Sequence, residues 1–316
     1  MILITGAAGF IGSRIACKLN QTGRTDLVLV DQLGCNEKWK NLRELVYEDY
    51  LEKGDLFVYL DGLSDIEAVI HMGACSSTTE KNASYLIQNN YRYTRRLAEW
   101  CLKHGARFIY ASSAATYGDG NNGYGDNLEK LNKLQPLNMY GYSKHLFDQV
   151  AHQKGWLSQI VGLKFFNVYG PNEDHKGEMS SVVYKGFHQV EKTGKIMLFK
   201  SHREDYSDGG QLRDFIYVKD VEDVVVHLLK HPEINGLFNL GTGQARSFED
   251  LATAVFTAMN RQVNIEYIDM PDHLRDRYQY FTQAEMQKLA QTGVETKFRS
   301  LEEGIGDYIV NHLCSN

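Results

Sequence analysis

Tyr140 and Lys144 stand four residues apart in the segment Met139-Tyr140-Gly141-Tyr142-Ser143-Lys144. On a helix that spacing puts both side chains on one face, about one turn apart. A tyrosine with a pKa near ~10 is a poor base at neutral pH. An ammonium beside it favours the phenolate, because opposite charge lowers the pKa of an acid. The pair therefore suits proton removal from an alcohol. Tyrosine and lysine also meet at this spacing by chance, so the neighbouring segments decide what the pair means.

The chain opens with Met1-Ile2-Leu3-Ile4-Thr5-Gly6-Ala7-Ala8-Gly9-Phe10-Ile11-Gly12. The short apolar run predicts a buried strand, and the three glycines lead into a helix. Glycine allows the tight turn and the close backbone approach to a pyrophosphate, which sits on the positive end of the helix. The spacing is G-x-x-G-x-x-G rather than G-x-G-x-x-G. Asp26 to Val30 predicts a second buried strand, ending in Asp31. An acid roughly 20 residues past the glycines suits a ribose hydroxyl. Strand, glycines, helix, strand and acid in this order favour a dinucleotide cofactor over a plain glycine turn.

Composition sets outer limits. With 316 residues the chain can bury one large core, or a main domain and a smaller partner. A net charge of -6 and a pI near 6.0 give no electrostatic footprint for nucleic acid or an anionic membrane. No apolar stretch approaches the ~18 residues of a membrane span. The first residues enter a strand without a basic, cleavable segment, which predicts a cytoplasmic protein. Cys17, Cys35, Cys75, Cys101 and Cys314 contain no C-x-x-C pair and leave an odd count. Reduced thiols are expected, with neither a disulfide framework nor a metal site.

The elements that must position Tyr140 and Lys144 alternate along the chain. Ala68 to His71 reads as a strand, Tyr85 to His104 as one long helix, and Arg107 to Ala111 as a strand. A helix bearing the pair follows, then a strand near Gln159 to Phe165. The alternation predicts an α/β fold with a parallel, doubly wound sheet, whose ligands bind at the carboxyl ends of strands. The loops Gly73 to Ser76, Ser112 to Thr116 and Asn167 to Pro171 follow such strands. Gly118 to Asn127 and His202 to Gln211 read as surface loops near the site. The expected organisation is a dinucleotide-binding domain, 1–168 plus about 212–241, and a smaller discontinuous substrate domain, 169–211 plus about 242–316.

These residues carry a resemblance to a known family. Thr5 to Gly12, Asp31, Ser113, Tyr140/Lys144, Asn167-Val168-Tyr169-Gly170-Pro171 and Arg213-Asp214-Phe215-Ile216-Tyr217-Val218 resemble the extended short-chain dehydrogenase/reductase family of nucleotide-sugar enzymes. More narrowly, Gly73 to Glu80, Ser112 to Gly118, His175-Lys176-Gly177 and Arg277-Tyr278-Gln279 resemble its ADP-L-glycero-D-manno-heptose 6-epimerases. That resemblance implies inversion of carbon 6 of an ADP-heptose, a precursor of the lipopolysaccharide core. A bound nicotinamide withdraws a hydride to leave an aldehyde, which turns and takes the hydride back on its other face. The cofactor carries the redox chemistry while the protein supplies orientation and acid/base groups.

Two epimers point their hydroxyls differently, so a base on each side of the sugar serves both. The resemblance implies Tyr140 as one base, with Lys144 holding its charge and the nicotinamide ribose, and Lys176 as the other. A lysine suits that role when burial or nearby positive charge lowers its pKa toward ~7 to 8. By residue type alone, Lys176 reads equally as a solvated lysine or a pyrophosphate contact. Ser113 corresponds to the hydroxyl beside the reacting sugar, and Thr116 can share that role. Implied cofactor contacts are Gly6, Gly9, Phe10, Ile11, Gly12, Asp31, Gln32, Lys38, Lys53, Met72, Gly73, Ala74, Cys75, Ser76, Asn89, Lys144, Val168 and Lys176. Implied substrate contacts are Asn167, Glu178, Lys185, Phe199, Ser201, Arg213 and Tyr278. Glu178 and Lys185 replace a small polar residue and a histidine of the family pattern, which bears on fine sugar specificity.

Asp31 alone argues for NAD, because a carboxylate repels a 2'-phosphate. The family is associated with NADP through lysines at the places of Lys38 and Lys53, so NADP is the expected cofactor and NAD the alternative. Homo-oligomers, pentamers by family analogy, are expected. Nucleotide-sugar 4,6-dehydratases resemble Thr-Asp-Glu-Val-Tyr-Gly where this chain has Ser113-Ala114-Ala115-Thr116-Tyr117-Gly118, so elimination lacks its acid pair. A UDP-hexose 4-epimerase shares the serine and tyrosine, and Lys176 disfavours it. A non-catalytic cofactor-binding regulator often loses the tyrosine, which is present here.

Overall fold

The opening apolar run forms β1 (Ile2–Thr5), all four residues buried. A computed structural model describes the chain except for residues 63–64, 276–277, 296 and 315–316 and the side chains of 273 and 274. Arg277, one of the family-like residues above, lies outside the described residues. Parallel to β1 run β2 (Leu27–Asp31) on one side and β4 (Ala68–His71) on the other, with Ile2 opposite Leu27 and Ala68. β3 (Asp49–Glu52) extends the sheet beyond β2, and β5 (Arg107–Ser113), β6 (Val161–Phe165) and β10 (Gly236–Leu240) extend it beyond β4. The order is β10-β6-β5-β4-β1-β2-β3, parallel throughout. Strand order reverses at β1, which opens a crevice at the carboxyl ends. The predicted doubly wound sheet is observed.

Helices cover both faces. The Phe10–Gln21 helix buries Phe10, Ile15, Ala16 and Leu19 and begins at Gly9, with no side-chain cap. Its first N–H groups are left free for a ligand. The turn before it requires glycine. Gly6 has φ +68°, and a Cβ there would stand 2.7 Å from Gly73 Cα; one on Gly12 would stand 2.1 Å from the carbonyl of Gly6. The predicted helix from Tyr85 to His104 divides into three pieces. Ala83–Leu86 and Tyr93–His104 flank a wider π-helical turn at Ile87–Arg92. There the Asn90 amide holds the Cys75 backbone, accepting from its N–H at 2.9 Å and donating to its carbonyl at 3.0 Å. The expected strand at Arg107 to Ala111 runs on to Ser113.

Asn167–Tyr169, expected as loop, forms the short strand β7, which pairs parallel with β9 (Leu212–Tyr217). β11 (Ala245–Ser247) pairs antiparallel on the far side of β9, and β8 (Ile196–Phe199) pairs with β12 (Ile265–Ile268). The Val182–Thr193, Phe248–Ala258 and Leu301–Tyr308 helices pack here around Val183, Leu251 and Ile305. The Gly118 to Asn127 segment is docked rather than free. Buried Tyr124 donates to the carbonyl of Phe281, and Asp126 accepts from Asn239 N at 2.9 Å. No helix among the described residues is long and apolar enough to cross a membrane.

Gly12→Ala forces a methyl group against the Gly6 carbonyl. We expect a loss of about 1–3 kcal/mol, as for overpacked cores, measured by chemical denaturation. An unchanged midpoint refutes the close-contact explanation of this glycine.

Candidate active site

At the carboxyl ends of β1, β4, β5 and β6 lies a cleft of about 520 Å³. A smaller pocket of about 200 Å³ shares Gly6, Asp31, Lys38, Gly73 and Ala74 with it. Every residue expected to hold cofactor lines one of the two. Gly9, Phe10, Ile11, Gly12, Met72, Ser76, Lys144, Val168 and Lys176 line the cleft, and Gln32, Lys53, Cys75 and Asn89 line the pocket. Ser113, Tyr140 and Asn167 also face the cleft. The glycine turn and the uncapped helix start provide the narrow, N–H-rich surface that a pyrophosphate requires, so the residues present fit a dinucleotide.

Local chemistry explains how Tyr140 reaches this place. Asn138 caps its helix by accepting from Gly141 N at 2.8 Å, and Ser143 Oγ donates to the Tyr140 carbonyl at 2.7 Å. A Cβ on Gly141 would stand 2.6 Å from the carbonyl of Ala115, so the helix presses on the turn after β5. The Tyr140 phenol thereby meets the Ser113 hydroxyl. Burial pushes the phenol pKa up, and the Ser113 hydrogen bond pulls it partly back. This corrects the expectation that Lys144 depresses it. Lys144 does lie one turn on, but its ammonium donates to the Ala111 carbonyl at 2.7 Å. Burial lowers the Lys144 pKa to about 8, against a smaller raising effect of Asp148.

Lys176 sits in the Asp174–Met179 turn, half-buried, with its ammonium 5.2 Å from the centre of the Phe10 ring. Burial lowers its pKa most, Glu173 raises it, and Lys185 lowers it. That is the direction a general base needs. Its ammonium makes no hydrogen bond or close ion pair among the described residues, and Glu173 acts on it only at longer range. The turn is anchored by Glu173, which accepts from Ser181 N at 2.5 Å and Ser181 Oγ at 2.7 Å. Asn41, unmarked by any sequence motif, joins it to the glycine turn by donating to the carbonyls of Ala8 at 3.0 Å and Asn172 at 3.2 Å.

The remaining substrate candidates divide. Phe199, Arg213 and Tyr278 gather beside the cleft: the rings of Phe199 and Tyr278 meet edge to face at 6.4 Å. The Arg213 guanidinium lies 5.1 Å from the Tyr278 ring and 5.6 Å from Phe248, which lines the cleft. Arg213 is buried, donates to the carbonyls of Leu212 and Gln279, and has no carboxylate partner among the described residues. It does not pair with Asp214, whose carboxylate accepts from Thr242, Gly243 and Ala284 N–H groups. Ser201 turns its hydroxyl to the Arg203 carbonyl. Glu178 and Lys185 line neither cavity: Glu178 is fully exposed, and Lys185 donates to its carbonyl at 2.5 Å. Phe248, Leu251 and Met179 line the cleft and were not expected; as ordinary apolar positions they carry no signal, whereas His175, which also lines it, belongs to the family-like His175-Lys176-Gly177 stretch.

A depressed lysine has a thermodynamic signature. The folded state holds the Lys144 proton less tightly than the unfolded chain, so between pH 8 and 10.5 only the unfolded chain keeps it. This group therefore makes stability rise with pH across that window. NMR titration of ¹³C-labelled lysines should show one side chain with a midpoint near pH 8 that disappears in Lys144→Met. Uniform titration near ~10.4 rejects the shift.

Comparison with known proteins agrees with this geometry. Residues 2–241 match the model of the NAD dependent epimerase/dehydratase family. The chain is 53% identical to an ADP-L-glycero-D-manno-heptose-6-epimerase of Nitratidesulfovibrio vulgaris, covering 100% of this chain and 98% of that one. It is 48% identical to the protein of the same name from Fusobacterium nucleatum, over 99% and 98% of the two chains. The crystal structure of the Helicobacter pylori ADP-L-glycero-D-manno-heptose-6-epimerase superposes with a TM-score of 0.84 at 29% identity, covering 100% and 96%. A Thermus thermophilus UDP-glucose 4-epimerase in complex with NAD gives 0.78 at 25%, covering 99% and 98%. An epimerase fold with a nicotinamide site accounts for the crevice, the glycine turn and the tyrosine together, and the chain belongs to the NAD dependent epimerase/dehydratase family, within its ADP-L-glycero-D-manno-heptose-6-epimerase group.

Proposed function

We propose that this chain inverts carbon 6 of ADP-glycero-manno-heptose, with Tyr140 and Lys176 as its two acid/base groups. The observation that carries the two-base reading is the free Lys176 amine, its pKa lowered, in the same cleft as Tyr140. When bound, the nicotinamide takes the hydride from carbon 6 and later returns it. Lys176, more readily neutral than an ordinary lysine, accepts the hydroxyl proton of one epimer. Tyr140, kept protonated by burial, returns a proton to the oxygen once the carbonyl has turned. The reverse direction exchanges their roles. Carbon 6 of a heptose bears two carbon neighbours, so its oxidised form is a ketone; the aldehyde expected above is corrected on that ground. Ser113 hydrogen-bonds the same oxygen, and buried Arg213 takes a diphosphate oxygen through its planar fork.

The division into a cofactor unit, 1–168 with 212–241, and a substrate unit, 169–211 with 242–316, is supported by the cleft walls. Glycines and strand ends line one side, and Phe248 and Leu251 the other. β9 straddles this division, since it pairs with both β7 and β11.

NADP is the proposed cofactor. The Asp31 carboxylate is already engaged, accepting from Lys38 Nζ at 2.6 Å and Ala8 N at 2.9 Å. Lys53 faces the same pocket, and among the described residues its ammonium has only the Asn89 amide oxygen as partner, at 2.8 Å. The pocket thus holds one lysine, Lys53, beyond the Lys38–Asp31 pair, which supports a 2'-phosphate.

Incubation with each ADP-heptose epimer should give both epimers, seen by NMR at carbon 6, without net reduced nicotinamide. Tyr140→Phe and Lys176→Met should each lose roughly 10²–10⁴-fold in kcat while cofactor stays bound. Inversion of a UDP-hexose at carbon 4 instead makes the chain a 4-epimerase, and near-normal turnover by Lys176→Met leaves a single base. For the cofactor, Lys53→Ala should weaken NADP by about 10-fold and NAD little, measured by calorimetry. Equal losses for both reject the 2'-phosphate role.

A further inference from the structure

Behind the cleft lies a charged cluster that the chemistry above does not use. Lys164 of β6 and Asp148 of the Met139–Gln153 helix are 1% and 0% exposed, and Lys164 Nζ stands 2.8 Å from Asp148 Oδ2. Asp148 also accepts from Tyr110 OH at 2.9 Å and Ser112 Oγ at 2.7 Å. Lys164 lies opposite Ser112 in the sheet register and donates to Thr116 Oγ1 at 2.6 Å. Thr116 Oγ1 in turn donates to the Ser113 carbonyl at 2.8 Å. One turn before Asp148 on the same helix, Lys144 holds the Ala111 carbonyl at 2.7 Å.

Three consecutive residues at the carboxyl end of β5 are therefore each gripped by a different side chain. Ala111 is held by Lys144, Ser112 by Asp148, and Ser113 by Lys164 through Thr116. Beyond Tyr110 this strand end has lost β4 as a neighbour and is paired on one side only, with β6. A buried ion pair is a costly way to add stability, since apolar side chains of equal volume often serve as well. Its charge does a second thing that apolar side chains cannot: it acts on Lys144.

We propose that the buried Asp148–Lys164 pair, with Thr116 as its link, is the positioning device of the site, setting the place of the Ser113 hydroxyl and the charge of Lys144. None of the three touches substrate or cofactor in this reading; they act through Ser113 and Lys144. The proposal rests on the assignment of Tyr140, Lys144 and Ser113 to the acid/base chemistry. The titratable groups acting on Lys144 are Asp148 of its own helix and His71 of β4, and Tyr140 of its own helix lines the same cleft. His71 is neutral, because burial lowers its pKa to about 3. Among these groups Asp148 supplies the negative charge that favours the ammonium.

The test uses the full-length protein with its cofactor and ADP-heptose. Thr116→Val keeps the shape and removes the link. It should lower kcat by roughly 10-fold with KM nearly unchanged, as expected for a misplaced reacting group, and Thr116→Ser should restore it. Asp148→Asn removes the charge that holds the Lys144 proton, so the alkaline limb of the kcat–pH profile should move down by about one pH unit. A purely structural pair would leave that limb in place. Wild-type kcat in Thr116→Val together with an unmoved limb in Asp148→Asn overturns the proposal. If Asp148→Asn fails to fold, the uncharged Thr116→Val decides alone. Tyr140→Phe runs alongside: loss of turnover there with normal clamp variants rejects only the clamp, whereas normal turnover in Tyr140→Phe rejects the site assignment beneath it.

Discussion

Cations without carboxylate partners dominate the physics of this molecule. Lys144 rests on a backbone carbonyl, Lys53 on an amide oxygen, Arg213 on two carbonyls, and Lys176 over an aromatic ring. None forms an ion pair among the described residues, although Asp148 acts on Lys144 and Glu173 on Lys176 at longer range. Removing a charge from water without a counter-charge is expensive, and proteins lower that cost by neutralising the group or by binding an opposite charge. Burial lowers the pKa of Lys144, Lys176 and Arg213; Lys144 and Lys176 line the cleft, Lys53 lines the adjoining pocket, and Arg213 lies beside them. Binding an anion there relieves the strain, so ligand affinity and folding stability are linked.

Elsewhere the same residue types are paired. Arg14 and Glu222 join the Phe10–Gln21 helix to the Val218–Lys230 helix at 2.8 Å, and Lys164 and Asp148 join β6 to the tyrosine-bearing helix. Lys38 shares Asp31 at the rim. The paired cations hold elements in place while the unpaired ones wait for ligand. This separation explains how a site with surplus positive charge is tolerated in a chain whose net charge is -6.

Much of this arrangement is legible in the sequence, and the limits have physical causes. Apolar runs of three or four residues mark β1, β2 and β4 because parallel strands are buried on both faces. The glycine spacing is legible because a Cβ at Gly6 or Gly12 has nowhere to go. β7 is not, since the three residues Asn167-Val168-Tyr169 form it only by pairing with β9, more than forty positions away. The π-helical turn at Ile87–Arg92 inserts no residue type that periodicity detects. Phe199, Arg213 and Tyr278 come together across loops, so resemblance alone could name them. Asp148 and Lys164 read as an ordinary helix charge and a strand-end lysine; only burial reveals them as a pair.

The proposed acid and base are separated by environment rather than by residue type. Burial acts on both, yet it penalises whichever form is charged, so it raises a phenol and lowers an amine. Tyr140 is therefore held protonated and Lys176 shifted toward its neutral form by one physical cause. A pair pushed apart in this direction suits one group to giving a proton and the other to receiving one, as the proposed oxidation of one epimer and reduction to the other require. After a single inversion the two protonation states are exchanged, which is the starting condition for the reverse reaction. Under the proposed two-base reading, reversibility then follows from where the protons are left.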